Sequence, residues 1–198
     1  MNTAWNNQEI CQHILDTNFP KLKDSIHFTA LNQCVKKIDS DSYKTILDIG
    51  CCKAELAETF PQFQYTGADL PTIIEGVSKK IRPNLSYIYF NAETDDYSFM
   101  GDYDIIVMNS FLSEMSNGIE ILNKILNHAK KYVVIHRQDI EEKTTVANSQ
   151  TYGGMNTVNF IISREDINKI INKNDCKIIF ETQSFPETPS KRSLVISK

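Results

Sequence analysis

Two acidic residues and a glycine stand where the sequence predicts the ends of buried strands. Asp48 lies inside the apolar run Ile46–Ile49, which is short enough for a strand, and Gly50 follows in a tight turn. Asp69 ends a second predicted strand about 20 residues further on, where dinucleotide-binding folds place an acid on the ribose hydroxyls. A helix that starts after such a turn points its N–H groups at the ligand. These residues therefore predict the nucleotide-binding edge of an α/β domain.

The spacing Asp48-x-Gly50-x-Cys52-x-Ala54 resembles the first motif of class I S-adenosylmethionine (SAM) dependent methyltransferases, an acid followed by three alternating glycines. Cysteine and alanine replace the second and third glycine. Glycine reaches positive φ angles freely, whereas cysteine does so only with strain. The resemblance implies that SAM is bound by the first two strand ends and the residues next to them: Asp48, Gly50, Cys51, Cys52, Asp69 and Leu70.

The next two predicted strands also end in polar or small residues. Leu85–Phe90 reads as the third strand, and the apolar run after Asp102, up to Met108, reads as a buried fourth strand. In the resembled family, the loop after the third strand contacts adenine. The loop after the fourth contacts the methionine part of SAM, and an aromatic residue there packs on adenine. The residues so implied are Asn91 and Ala92 after the third strand, and Asn109, Ser110 and Phe111 after the fourth.

A histidine, His136, ends the fifth predicted strand, which begins at Tyr132. Open α/β sheets bind ligands at this end of their strands. Because imidazole titrates near neutral pH, we predict His136 as the general base for a hydroxyl acceptor. The alternative, a hydrogen-bonded structural histidine at a strand end, stays open.

The polar segment from Arg137 to Asn159 is too long for a minimal loop in a compact domain, which indicates a functional or mobile segment. We predict that it forms the wall or lid of the acceptor pocket. Gly153 and Gly154 would let it hinge. Gln150 and Tyr152 are the residues predicted to orient the acceptor.

The order of elements predicts an α/β fold, a Rossmann-like three-layer sandwich with a seven-stranded, mostly parallel sheet. Five strand–helix units precede a last helix and two strands, Lys177–Thr182 and Ser193–Ile196, whose short proline-bearing link makes them an antiparallel hairpin. This order resembles the class I methyltransferase sheet over residues 43–198. Residues 1–42 read as an N-terminal helical extension that serves as a cap.

Composition narrows the class of protein. The 198 residues carry a formal net charge of −4 without a dense basic run, which argues against nucleic acid as a partner. The sequence contains no run of 18 apolar residues, so it predicts no membrane span. The first residues lack the pattern of a signal peptide, so we expect a cytoplasmic protein. The five cysteines include no Cys-x-x-Cys pair, so we predict neither a disulfide framework nor a metal site.

The resemblance implies a SAM-dependent methyltransferase with SAM as its cofactor. The absence of a basic surface favours a small-molecule acceptor, such as a sugar or metabolite hydroxyl. Two alternatives remain open. The replaced glycines favour an inactive methyltransferase-fold protein that binds a partner. A nicotinamide (NAD) dependent oxidoreductase shares the first strand–turn–helix unit and the second acid, but it needs Gly-x-Gly-x-x-Gly, which the turn does not have.

Overall fold

The computed structural model describes residues 5–38 and 42–198. Within them lies one mixed sheet of nine strands. In chain order these are β1 (Thr45–Ile49), β2 (Gln64–Asp69), β3 (Ser86–Tyr89), β4 (Ile105–Asn109), β5 (Tyr132–Glu141), β6 (Val146–Tyr152), β7 (Met155–Ser163), β8 (Lys177–Phe185) and β9 (Thr188–Ser197).

The strand order confirms the predicted Rossmann-like α/β fold. The strands β3-β2-β1-β4-β5 are parallel neighbours, and β9 pairs antiparallel with both β5 and β8. These seven strands are the predicted seven-stranded sheet with its closing hairpin. Their apolar runs suit a parallel sheet covered on both faces. The sheet differs from the prediction by two further strands, β6 and β7.

Helices cover both faces of the sheet and one of its edges. Longer helices alternate with single turns, among them a π-helical turn over Ile74–Ser78. The bounds are α1 (Gln8–Asp16), α2 (Phe28–Lys36), α3 (Leu56–Thr59), α4 (Pro71–Ile73), α5 (Lys79–Ile81), α6 (Gly118–His128) and α7 (Arg164–Lys173), with 3₁₀ turns at Leu22–Asp24, Ser98–Asp102 and Leu112–Glu114.

Successive residues of β1 pack into different core clusters, which makes the fold three layers. Ile46 packs with the buried stripe of α2, including Leu31 and Val35, whereas Leu47 packs with α6 residues such as Leu122. Adjacent side chains of a strand point to opposite faces, so one strand serves both cores. The apolar stripe of α2 therefore covers one face of the sheet.

The first helix lies elsewhere. Ile10 and Ile14 of α1 pack with Ile73 and Val77, next to the segment that follows β2. The two N-terminal helices thus have different positions, one at the carboxyl edge of the sheet and one on its face. A division into residues 1–42 and 43–198 stays a prediction, since residues 39–41, next to that boundary, and residues 1–4 are outside the described residues.

The segment from Arg137 to Asn159 is regular structure, which corrects the prediction of a loop. Its first residues extend β5, and after the short link 142–145 it forms most of the antiparallel hairpin of β6 and β7. Gly153 and Gly154 form its two-residue turn between the paired residues Tyr152 and Met155, with φ angles of +55° and +81°. Two positive φ angles are what a type I′ hairpin turn requires. The glycines therefore close a hairpin, and the predicted hinge is wrong.

Candidate active site

The turn after β1 keeps a left-handed backbone at all three positions of the motif. The φ angles are +73° at Gly50, +44° at Cys52 and +52° at Ala54. The turn is fixed by the N–H groups of Gly50 and Cys51, which donate to the carbonyl of Ala68 at 2.8 and 3.3 Å. The sequence predicts a helix from about Ala54. Because left-handed Ala54 cannot start a right-handed helix, α3 instead begins at Leu56.

Substitution of Cys52 tests how much free energy the left-handed backbone at this position costs. A left-handed conformation costs an L-residue about 1–2 kcal/mol, and Cys52→Gly removes that cost. The half-buried Cys52 also packs against the cluster that contains Ile10, Ile14, Ile73 and Val77, a contact the variant loses. We expect Cys52→Gly to leave the unfolding midpoint unchanged or raise it, and to preserve or tighten SAM binding.

Thermal unfolding and a calorimetric SAM titration measure these two effects. Cys52→Val is the contrasting variant, because a β-branched side chain at positive φ adds strain and lowers the unfolding midpoint. A large loss of SAM affinity in Cys52→Gly would contradict the prediction and assign a binding role to the thiol.

Two carboxylates lie beside this turn. Asp69 accepts hydrogen bonds from the backbone N–H groups of Cys52 at 3.0 Å and Leu70 at 2.8 Å. Asp48 accepts one from the hydroxyl of Tyr65 at 2.9 Å. Burial raises the pKa of Asp69 to about 6 and that of Asp48 to about 7. Neither carboxylate pairs with a basic side chain within the described ranges, so a cationic ligand is favoured here.

Asn91 and Ala92 form a tight turn after β3. The side-chain oxygen of Asn91 accepts the N–H of Glu93 at 3.0 Å, and its own N–H donates to Asp95 at 2.8 Å. Ala92 is buried, and its carbonyl accepts the Tyr97 hydroxyl at 2.6 Å. The Asn91 side chain thus shapes the turn, and contact with adenine stays a prediction.

Phe111 lies directly over the turn after β1. A Cβ atom built at Gly50 would stand 2.7 Å from Cδ2 of Phe111, so only glycine fits beneath the ring. Ser110 has a φ angle of +61°, and its hydroxyl is 3.0 Å from that of Ser113. The side-chain oxygen of Asn109 accepts the Nε–H of Arg137 at 2.8 Å. The ends of β1 and β4 therefore lie next to each other, with Phe111 on Gly50, and contact of Asn109, Ser110 and Phe111 with SAM stays a prediction.

His136 is fully buried and hydrogen-bonded through both ring nitrogens. Its Nε2 lies 2.9 Å from Nδ1 of His27, and its Nδ1 lies 2.7 Å from the hydroxyl of Ser193. Ser193 is in turn 2.7 Å from the hydroxyl of Ser184. Burial, and then the charges of His27 and Arg137, lower the pKa of His136 well below its usual value. This arrangement favours the structural alternative, and catalysis by His136 stays a prediction.

A carboxylate that the sequence analysis did not select lies near the predicted acceptor residues. Glu114 ends the 3₁₀ turn after β4, and the amide of Gln150 donates long hydrogen bonds of 3.3 and 3.4 Å to its two oxygens. Burial raises the pKa of Glu114 to about 7, although Gln150, Lys191 and Arg137 act in the opposite direction. Only its place in a polar loop after a buried strand marks Glu114 in the sequence.

The β6–β7 hairpin meets the N-terminal helix above these residues. The ring of Tyr152 lies 5.5 Å from that of Trp5 and 5.3 Å, edge-on, from that of His13. A Cβ at Gly153 would touch the His13 ring at 2.7 Å. Together, α1 and the hairpin tip form a cover over the carboxyl ends of the central strands.

Comparisons with known proteins match this architecture at the level of structure. Neither the family models nor the curated sequences yield a match to the chain. Among solved structures, SAM-bound CalS10, an amino pentose methyltransferase from Micromonospora echinaspora, aligns with a TM-score of 0.65 at 11% identity, covering 96% of this chain and 95% of that one. The chain has the fold of class I SAM-dependent methyltransferases.

Two further neighbours agree with this methyltransferase fold. Magnesium protoporphyrin IX methyltransferase from Synechocystis PCC 6803, with bound S-adenosylhomocysteine (SAH), has a TM-score of 0.64 at 13% identity and covers 100% of this chain and 95% of its own. The N-terminal domain of EvdMO1, in the presence of SAH and D-fucose, has a TM-score of 0.63 at 10% identity and covers 96% of this chain and 94% of its own.

No described helix is long and apolar enough to cross a membrane.

Proposed function

We propose that the protein transfers a methyl group from SAM to a small-molecule acceptor. The observation that carries the proposal is the left-handed backbone at Gly50, Cys52 and Ala54, next to the carboxylate of Asp69. The chain thus keeps the turn shape of the motif although two glycines are replaced. This weakens the argument for an inactive protein, which rested on those replacements.

The described residues fit SAM at this edge of the sheet. Asp69 is half-buried, and each of its oxygens retains a lone pair for a ribose hydroxyl after accepting one backbone N–H. The carboxyl groups of buried Asp48 and half-buried Asp69 have no basic partner in the described ranges, and a cation such as the sulfonium would stabilise their charged forms. When bound, SAM supplies an already activated methyl group, so the protein has to align the acceptor and exclude water. The cover of α1 and the β6–β7 hairpin supports that exclusion.

Glu114 is our candidate for the general base. A base working near neutral pH needs a pKa near 7, and its carboxylate faces the predicted acceptor residue Gln150. The carboxylate would take the proton of the acceptor hydroxyl. Gln150 and Tyr152 remain proposed acceptor contacts. His136, buried beneath, would hold this end of β5 in place.

Asp69→Ala tests cofactor binding. We expect calorimetric titration to show SAM and SAH binding that the variant weakens by about 1–3 kcal/mol, the effect of losing a hydrogen bond to a charged group. Glu165→Ala, which removes an exposed acid on α7, is the control and should bind like the wild type.

Two results would contradict the proposed function. If the wild type shows no binding at millimolar SAM or SAH, the protein is not a methyltransferase, and partner binding becomes the better proposal. If it binds NAD in place of SAM, the oxidoreductase alternative gains support, although the closing β8–β9 hairpin does not favour it.

A further inference from the structure

We infer that the acceptor carries a carboxylate group and that the guanidinium of Arg137 binds it. This inference rests on the proposed function and specifies its acceptor. It begins from a half-buried cation that interacts electrostatically with the predicted acceptor residue Tyr152 and with Glu114.

Arg137 differs from the other three arginines in its charge partner. Arg82 pairs with Glu58, and Arg164 and Arg192 both pair with Glu181. Arg137 forms no ion pair with any carboxylate in the described ranges. Burial lowers the pKa of its guanidinium, which reflects the cost of removing the charge from water. Glu114 is an opposing charge for Arg137 but forms no ion pair with it, so among the described residues the guanidinium lacks the paired carboxylate that a desolvated charge normally has, which points to a ligand.

The guanidinium of Arg137 is held in one orientation. Its Nε–H donates to the side-chain oxygen of Asn109 at 2.8 Å, while its two Nη atoms form no hydrogen bond with a described residue. The backbone of Arg137 has a φ angle of +61°, a strained conformation for a side-chain-bearing residue. Strain of this kind concentrates at functional sites. The paired Nη groups match the two oxygens of a carboxylate.

The position of Arg137 in the sheet indicates that its ligand is the acceptor and not the cofactor. Asp69 ends β2, and Arg137 follows the parallel-paired part of β5, three strands away in the order β2-β1-β4-β5. Adjacent strands are about 4.8 Å apart, which places Arg137 about 14 Å from the predicted ribose contact. The charge of Arg137 instead lowers the pKa of Glu114, the candidate base. An anionic group on Arg137 would therefore anchor an acceptor whose hydroxyl faces Glu114.

Benzoate and its neutral analogue benzamide are suitable probes. Ligand-observed NMR titrations, with and without saturating SAH, would compare the wild type with Arg137→Met, Arg137→Lys and Arg164→Met. We expect the wild type to bind benzoate at least tenfold more tightly than benzamide. Arg137→Met should lose this preference, and Arg137→Lys should retain part of it, because lysine keeps the charge without the fork of donors. Arg164→Met removes a paired arginine and should behave like the wild type.

A structural role for Arg137 predicts different results. Arg137→Met loses the hydrogen bond to Asn109 in either case, so a structural role is recognised by an unchanged preference for benzoate and not by a lower unfolding midpoint. Equal binding of benzoate and benzamide by the wild type, or an unchanged preference in Arg137→Met, would overturn the inference. Weakened SAH binding in Arg137→Met would also overturn it, since the guanidinium would then hold the cofactor's carboxylate. The titrations without SAH keep the inference testable if the proposed function fails.

Discussion

Glu114→Gln should lower turnover by about 10²–10⁴-fold, the usual contribution of a general base, with any hydroxyl acceptor that the wild type methylates. The amide has nearly the same shape as the carboxylate, so packing within the turn Leu112–Glu114 is preserved. It has no basic oxygen that could accept the proton. Affinity for SAM should be unchanged, because Glu114 lies beyond the proposed cofactor residues.

The pH dependence separates a catalytic from a structural role of Glu114. Only the deprotonated carboxylate accepts a proton, so wild-type turnover should rise with pH through about 7 and level off above it. Glu114→Gln should lose this rise. Initial rates measured between pH 5.5 and 8.5 at saturating SAM would record both profiles.

Glu120→Gln is the matched control for the Glu114 experiment, since Glu120 is exposed on α6 near the same turn. It should keep the rate and the pH profile of the wild type. Full turnover in Glu114→Gln would remove Glu114 from the mechanism. Loss of SAM affinity in step with the rate would make it a structural residue of the site.

The sequence predicts the sheet well because its strands are local patterns. The apolar run of β4 and the strand–turn unit ending at Gly50 can each be recognised from a few consecutive residues. The short link between the last two predicted strands, which contains Pro186 and Pro189, similarly indicates an antiparallel hairpin, since parallel neighbours need a long crossover. The sequence does not predict the β6–β7 hairpin because β6 is largely polar, although the Gly–Gly pair is a hairpin signal in itself.

The chemistry of individual side chains was less predictable, because pKa values and partners depend on residues distant in sequence. His27 lies 109 residues from His136, and their contact forms only when α2 packs beside β5. The raised pKa of Glu114 likewise comes from burial under the hairpin that carries Gln150. A histidine at a strand end therefore looks like a base in the sequence, although its nitrogens are already engaged in the fold.

His136→Ala should destabilise the protein by roughly 3 kcal/mol near pH 8. The change leaves a cavity and deprives the half-buried His27 and the buried Ser193 of a hydrogen-bond partner. Chemical denaturation measures this loss. His128→Ala, at the end of α6 and away from the network, is the control and should cost less than about 1 kcal/mol.

The pH dependence of this loss follows from the buried neutral ring of His136. Its pKa in the folded state is lowered below that in the unfolded state, so the unfolded state binds more protons as the pH falls below about 6.5. The contribution of His136 to wild-type stability therefore declines below that pH, and the deficit of His136→Ala should shrink between pH 7 and pH 5. Turnover per folded molecule should stay within a few-fold of the wild type. If that turnover falls 10²–10⁴-fold while stability and SAM binding are unchanged, His136 is the base and Glu114 is not.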